Sequence, residues 1–174
     1  MKVAMDSETL AERLGLQAHR IEAMVSGVSD EQWRWRPGEG DWSMLEVVAH
    51  LADEERHDFR TRLDILLHRP DDEMPPIDPQ GWVTARGYNQ RDPGETLADF
   101  LIERERSLTW LRGLKDPDWE RSVIAPWGRP LRAGDMAASW AAHDLLHLRQ
   151  LVELHWAWNL GQVQPYDAGY AGEW

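Results

Sequence analysis

Residues Ala142–His147 read AHDLLH, which sets two histidines four residues apart in a segment otherwise patterned as a buried helix. At 100° per residue, Met136, Trp140, Leu151, Leu154 and Trp158 fall within about 80° of His143, on the side that also carries His147. Two imidazoles therefore sit in an apolar face. A dry interior must supply partners for both nitrogens of each ring, and a divalent cation satisfies one nitrogen on each ring at once. A hydrogen-bonded pair of core histidines would meet the same need. The spacing alone says little, because seven histidines in 174 residues give about 0.3 H-x-x-x-H pairs by chance. The zinc-peptidase motif shares the spacing, but its glutamate is replaced here by Asp144, whose shorter side chain is poorly placed as a general base.

Working outward from this segment, helical periodicity recurs in three further stretches. Leu10, Leu14, Ile21, Met24, Val25 and Val28 form one stripe, with Asp6 or Ser7 as the cap. Ser43 and Glu46 have capping-box spacing and open a helix expected to reach about Leu67. Ser29 and Gln32 carry a similar signal for a single turn. Leu97, Phe100, Leu101, Leu108 and Leu111 mark a helix over about 95–114, and the last helix is expected over about 133–158. Between them, Pro70, Pro75, Pro76, Pro79 and Pro93 make 69–93 a long loop, and Pro117, Pro126 and Pro130 make 115–131 an irregular connection. The expected fold is an all-α four-helix bundle over residues 1–160, in some up-and-down topology, followed by a C-terminal tail over 161–174.

Composition restricts the function. With 19 Lys and Arg against 31 Asp and Glu, the formal charge is -12, which opposes binding to nucleic acid and to anionic membrane surfaces. No apolar run reaches the roughly 18 residues of a spanning helix, and the opening MKVAMDSETLAERLG lacks the apolar block of a leader, so a cytoplasmic location is expected. Zero cysteines exclude a disulfide framework, a thiolate metal site and a protein-borne thiol nucleophile. Any sulfur chemistry must use a thiol that arrives with a ligand. The 11 tryptophans can fill a core, line a pocket or form a subunit interface.

A useful metal site needs a third ligand. His19 lies on a polar face, His68 ends a helix beside Pro70, and His155 projects about 120° from His143. His50 and His57 remain, about 20° apart in projection but two turns apart along the axis. Periodicity does not choose between them, and it places His50 about 60° outside the apolar arc of its helix. Arg104, within the stripe of the third helix, needs an anion such as Glu54 or the carboxylate of a substrate or thiol cofactor. Glu54 and His57 are candidate acid or base groups, or else part of a solvated face. Gln17 lines a pocket or bonds within the core, Asp144 is a candidate to orient an imidazole, and Tyr88 and Asn89 are candidate ligand contacts on the long loop.

The stretches GDWSMLEVVAHLADEE (40–55), RDPGETLADFLIERERSL (91–108) and GRPLRAGDMAASWAAHDLLHLRQL (128–151) together resemble the DinB-like superfamily, also described as YfiT-like metal-dependent hydrolases. The likeness spans roughly residues 7–158. Its most specific element is a histidine in the helix after a W-S start, paired with a late H-x-x-x-H followed by Gln, which falls on His50, His143, His147 and Gln150. The resemblance implies a four-helix bundle, often a homodimer, whose three histidines hold a divalent metal with open positions. Zinc or nickel is expected ahead of iron. It further implies a metal-dependent transferase using a low-molecular-weight thiol, or a hydrolase, acting on a small-molecule substrate. The alternative is a catalytically silent metal- or ligand-binding bundle with a stress-related or structural role as a dimer.

Overall fold

The computed structural model describes residues 6–172 and 174. Met1–Met5, at the start of the segment read for a leader, and Glu173 of the tail lie outside the described residues. Helix α1 (Ser7–Val25) is capped by Asp6, which accepts from the Thr9 amide at 2.7 Å. Its buried stripe contains Leu10, Leu14, Ile21 and Val25, while Val28 lies past the helix end. Helix α2 (Asp30–Arg34) is the single turn capped by Ser29. Helix α3 (Met44–Glu54) opens at Ser43, whose hydroxyl accepts from the Glu46 amide while the Glu46 carboxylate accepts from the Ser43 amide at 2.8 Å. This reciprocal cap satisfies two amides that the helix itself cannot pair. The same rod continues through a π-helical turn (Glu55–Phe59) into α4 (Arg60–His68).

Two connections contain more order than proline density suggests. Within 69–93, Asp78 caps a short helix α5 (Pro79–Ala85), and a 3₁₀ turn follows at Tyr88–Gln90. Pro79 suits this helix because it occupies the first turn, where no intrahelical N–H is required. Within 115–132, β1 (Ser122–Ile124) and β2 (Pro130–Arg132) form an antiparallel hairpin with Val123 opposite Leu131. Three-residue strands are too short to show a period, and Gly128 at φ 81° supplies the turn. Helix α6 (Pro93–Gly113) starts at Asp92, and α7 (Ala133–Gln162) extends past the expected Trp158. Beyond α7, Trp174 stacks on Trp156 at 5.0 Å, which folds the tail back along that helix.

The four long rods are α1, α3 with α4, α6 and α7. Helix α1 packs on α6 and α7, and the α3/α4 rod packs on the same two helices. The first and second rods are therefore diagonal partners rather than neighbours. Reaching a diagonal position takes a long connection, and residues 26–43 and 114–132 supply the two crossovers.

The core has two main apolar halves, with a smaller cluster of Ala49, Val83 and Tyr88 beside them. One joins Leu10 and Leu14 of α1 to Leu63 and Leu66 of α4, Leu111 of α6 and Trp140 of α7. The other joins Ile21 and Val25 to Leu45, Val48 and Leu51, with Phe100 and Leu151. Each fully buried side chain of this size contributes roughly 1.5–3 kcal/mol. Between the halves lies a buried polar layer that includes Gln17, His50, Glu54, Glu55, Arg104 and Asp144. Burying that many polar groups is costly unless they pair with one another or with a ligand.

Candidate metal centre

Three imidazoles meet at one side of the polar layer. His50 comes from the buried length of α3, and His143 and His147 come from successive turns of α7. His143 Nε2 lies 3.3 Å from His50 Nε2 and 3.1 Å from His147 Nε2. One nitrogen from each ring is within 4.8 Å of the others. Trp42 walls the cluster, parallel to His147 at 6.4 Å and edge-on to His50 at 5.0 Å, while Phe59 flanks His143 at 5.0 Å.

The rings are held neutral. Burial, then the neighbouring His147 and His143, pushes His50 down to about 2. Burial followed by His147 and Arg104 takes His143 to about 3, and burial lowers His147 as well. His147 Nδ1 lies 2.9 Å from Gln150 Oε1. An N–H there donates to the amide oxygen and leaves His147 Nε2 as a bare lone pair. His143 Nε2 faces two nitrogens and has at most one proton to offer, so hydrogen bonds alone cannot satisfy the cluster. A cation can accept all three lone pairs. Tetrahedral zinc with Zn–N of about 2.0–2.1 Å requires nitrogen separations of about 3.3 Å, which is the spacing His143 shows to His50. The donor set fits a divalent ion.

The cluster forms the inner wall of an open cleft of about 620 Å³, with Trp42, Gln80, Leu146, Arg149 and Gln150 around it. That volume suits a small molecule. Glu54 lines the same cleft at 3% exposure, with Oε1 3.9 Å from His50 Nδ1. Burial, then the nearby Asp58 carboxyl, pushes the Glu54 pKa up to about 8.

The remaining sequence candidates lie elsewhere. His57 is outside the histidine cluster, and its ring packs edge-on to Trp82 at 5.7 Å. Arg104 is closed off from the cleft, and its anions are Asp144 at 2.6 Å and Glu55 at 2.7 Å rather than Glu54. The π turn sets the Glu55 carboxylate toward α6. Asp144 is therefore the partner of Arg104 and orients no imidazole. Gln17 Nε2 donates to the Ala141 carbonyl at 2.9 Å. Tyr88 is fully buried and donates to Asp53 at 2.6 Å, and Asn89 accepts from Ser43 Oγ at 2.7 Å. Both anchor the 69–93 segment rather than a ligand, with Asp53 also accepting from Arg86 at 2.7 Å. The sequence reading missed Trp42 and Gln80 as cleft residues. Trp42 had a signal in its place immediately before the cap Ser43, whereas Gln80 reaches the cleft only because Asp53 pins the segment.

Comparison with known proteins bears on the same region. A family model described as the DinB superfamily matches residues 13–151. YfiT of Bacillus subtilis, named as an inferred metal-dependent hydrolase, is 25% identical over 138 residues, covering 77% of this chain and 73% of its own. A Geobacillus kaustophilus protein with the same inferred activity in its name is 30% identical over 142 residues, covering 77% and 75%. The structure of Bacillus subtilis YfiT, described as having an unusual four-helix bundle topology, superposes with a TM-score of 0.76 at 20% identity, over 88% of this chain and 89% of that one. A mycothiol-dependent maleylpyruvate isomerase superposes at 0.67 with 15% identity, over 84% and 61%. At those identities the two superpositions speak for the fold. The match over residues 13–151, carried by a bundle whose two crossovers place three histidines together, makes this chain a member of the DinB superfamily.

Proposed function

We propose that the chain is a divalent-metal enzyme in which His50, His143 and His147 hold the ion, and that a low-molecular-weight thiol, or water, displaces a leaving group from a small molecule, as in a thiol transferase or a hydrolase. The observation that carries this reading is the convergence of three neutral imidazole nitrogens in the wall of an open cleft. A bound ion supplies Lewis acidity, which makes a thiol or water nucleophilic near neutral pH. Zinc and nickel come ahead of iron in the proposal, since all three accept imidazole and availability decides between them. Gln150 orients His147, and Trp42 covers two of the rings on one side, so substrate approaches from the side of Gln80, Leu146 and Arg149.

Thiol transfer is placed ahead of hydrolysis. The chain has no cysteine, and one fold neighbour is mycothiol-dependent by name, whereas the names of the sequence relatives support hydrolysis. A homodimer and a cytoplasmic location belong to the same proposal. Exposed Leu16 and Leu145 on α1 and α7 are compatible with the first, which sedimentation velocity tests. Among the described residues no helix is long and apolar enough to cross a membrane, and cell fractionation tests the second.

The chemical test uses tag-free protein. Elemental analysis is expected to find one divalent ion per chain, and its absence would overturn the metal reading. Metal-loaded protein is then incubated with a model electrophile and a panel of small thiols, beside His143→Ala. Thiol consumption that disappears in the variant supports transfer, and thiol-independent ester or amide cleavage supports hydrolysis. Stoichiometric metal with neither activity converts the assignment to a silent binding bundle.

A further inference from the structure

Two buried atoms beside the histidine cluster lack hydrogen-bond partners, and they face each other. His50 Nδ1 and Glu54 Oε1 are both unpaired, each on a side chain about 3–5% exposed, and they lie 3.9 Å apart. They belong to residues four apart on α3, the spacing that stacks side chains on one helix face. A separation of 3.9 Å is too long for a hydrogen bond, but a small side-chain rotation closes it. His147 already shows the completed arrangement on α7, where Nδ1 meets Gln150 Oε1 at 2.9 Å and Nε2 points into the cluster.

We propose that Glu54 is the positioning residue of His50: its Oε1 accepts the Nδ1–H of His50, fixes that tautomer, and aims the bare Nε2 at His143 and His147. The inference rests on the metal reading above and adds a residue to it. Each α-helix would then contribute histidine and orienting group together, His50 with Glu54 on α3 and His147 with Gln150 on α7. A glutamine keeps an Oε1 acceptor for His50, whereas a leucine offers none.

The test compares wild type, Glu54→Gln and Glu54→Leu in two readouts. One is zinc affinity, measured by competition with a chromophoric chelator. The other is the tautomer of His50 in apo protein, read from long-range ¹H–¹⁵N correlations of its ring. Orienting partners of metal-binding histidines are worth about 10–100-fold in affinity. Glu54→Leu is expected to lose that much and to release His50 into a mixture of tautomers. Glu54→Gln is expected to stay within about threefold of wild type, with Nδ1 still protonated. Wild-type affinity and an unchanged tautomer in Glu54→Leu would overturn the proposal, as would a loss in Glu54→Gln equal to that in Glu54→Leu. If Glu54→Leu does not fold, the glutamine variant and the wild-type tautomer decide, and an Nε2-protonated His50 in the wild type overturns the proposal. Should wild type bind no zinc, the metal reading fails by itself, and the tautomer still tests the contact between Glu54 and His50.

Discussion

The polar layer contains two neighbouring clusters, and they are finished differently. Around Arg104, the charged groups meet opposite charges inside the protein, although Arg104 Nε and Glu55 Oε2 make no hydrogen bond. Its guanidinium donates to Asp144 at 2.6 and 2.9 Å, to Glu55 at 2.7 Å and to the Leu14 carbonyl at 2.8 Å, and Trp140 donates to Glu55 at 2.6 Å. Burial alone would lower the Arg104 pKa, but Glu55 and Asp144 outweigh it and hold the group above its ordinary value. Around His143, by contrast, three like groups face one another with too few protons to share. The first cluster pairs opposite charges within the fold and ties the four rods together. The second is incomplete without a ligand, and it opens onto a cleft. Burial of polar groups therefore identifies a site here where like groups converge without an opposite charge and open onto a cleft.

The largest effect should come from breaking the ion-paired cluster. Arg104→Met strands two carboxylates in the core, and losing one side of a buried ion pair costs about 3–5 kcal/mol. Urea denaturation should show a loss of that size with or without metal, and a loss below about 1 kcal/mol would mean that the network contributes little.

Breaking the incomplete cluster should do the reverse. His147→Ala is expected to leave apo stability nearly unchanged while abolishing the gain from added zinc. That gain is about 4 kcal/mol at a thousandfold excess over Kd. Scanning calorimetry of both proteins with and without zinc checks it, and equal melting temperatures for the wild type in the two conditions would contradict the site.

Acid sharpens the contrast. His50 and His143 are held at about 2 and about 3 in the folded chain, against about 6.5 when unfolded. Below pH 6.5 the unfolded state takes up protons that the folded state refuses, so stability falls as pH falls. The limit is about 1.4 kcal/mol per histidine for each pH unit. Glu54, raised to about 8, acts in the opposite direction between about 4.5 and 8, so wild type must be compared with a variant. In apo His143→Gln the loss between pH 6.5 and 5 should shrink by about 1–2 kcal/mol, as read from urea midpoints. The smallest effect is expected at His57, which packs on Trp82 outside the cluster. His57→Ala should leave zinc affinity within about twofold of wild type, because no metal ligand or orienting group is removed.

How much of this was legible varies with the range of the interaction. Caps are local: Ser43 with Glu46 and Ser29 with Gln32 are read from three-residue spacing, and both helices begin there. The buried stripes of α1, α6 and α7 follow from periodicity, because a rod packed on one side must repeat its apolar residues with the helical turn. Periodicity failed at His50. It placed the residue at a boundary, whereas His50 is 3% exposed, because α5 and the 69–93 segment cover α3 on a side where a bare bundle would meet water. The hairpin at 122–132 was illegible for a different reason, its strands being shorter than two periods.

By itself, the sequence determined four amphipathic rods, their starts, and two histidines on the inner face of the last one, since each depends only on neighbours within a turn or two. The likeness of short motifs to the DinB-like pattern added His50. Tertiary structure alone decided that the first and second rods lie on a diagonal, that the π turn directs Glu55 rather than Glu54 to Arg104, and that Asp144 completes that cluster instead of serving a histidine. These outcomes depend on which helix faces which across the core, and residues 40 to 90 positions apart in the chain carry no mark of that in their local spacing.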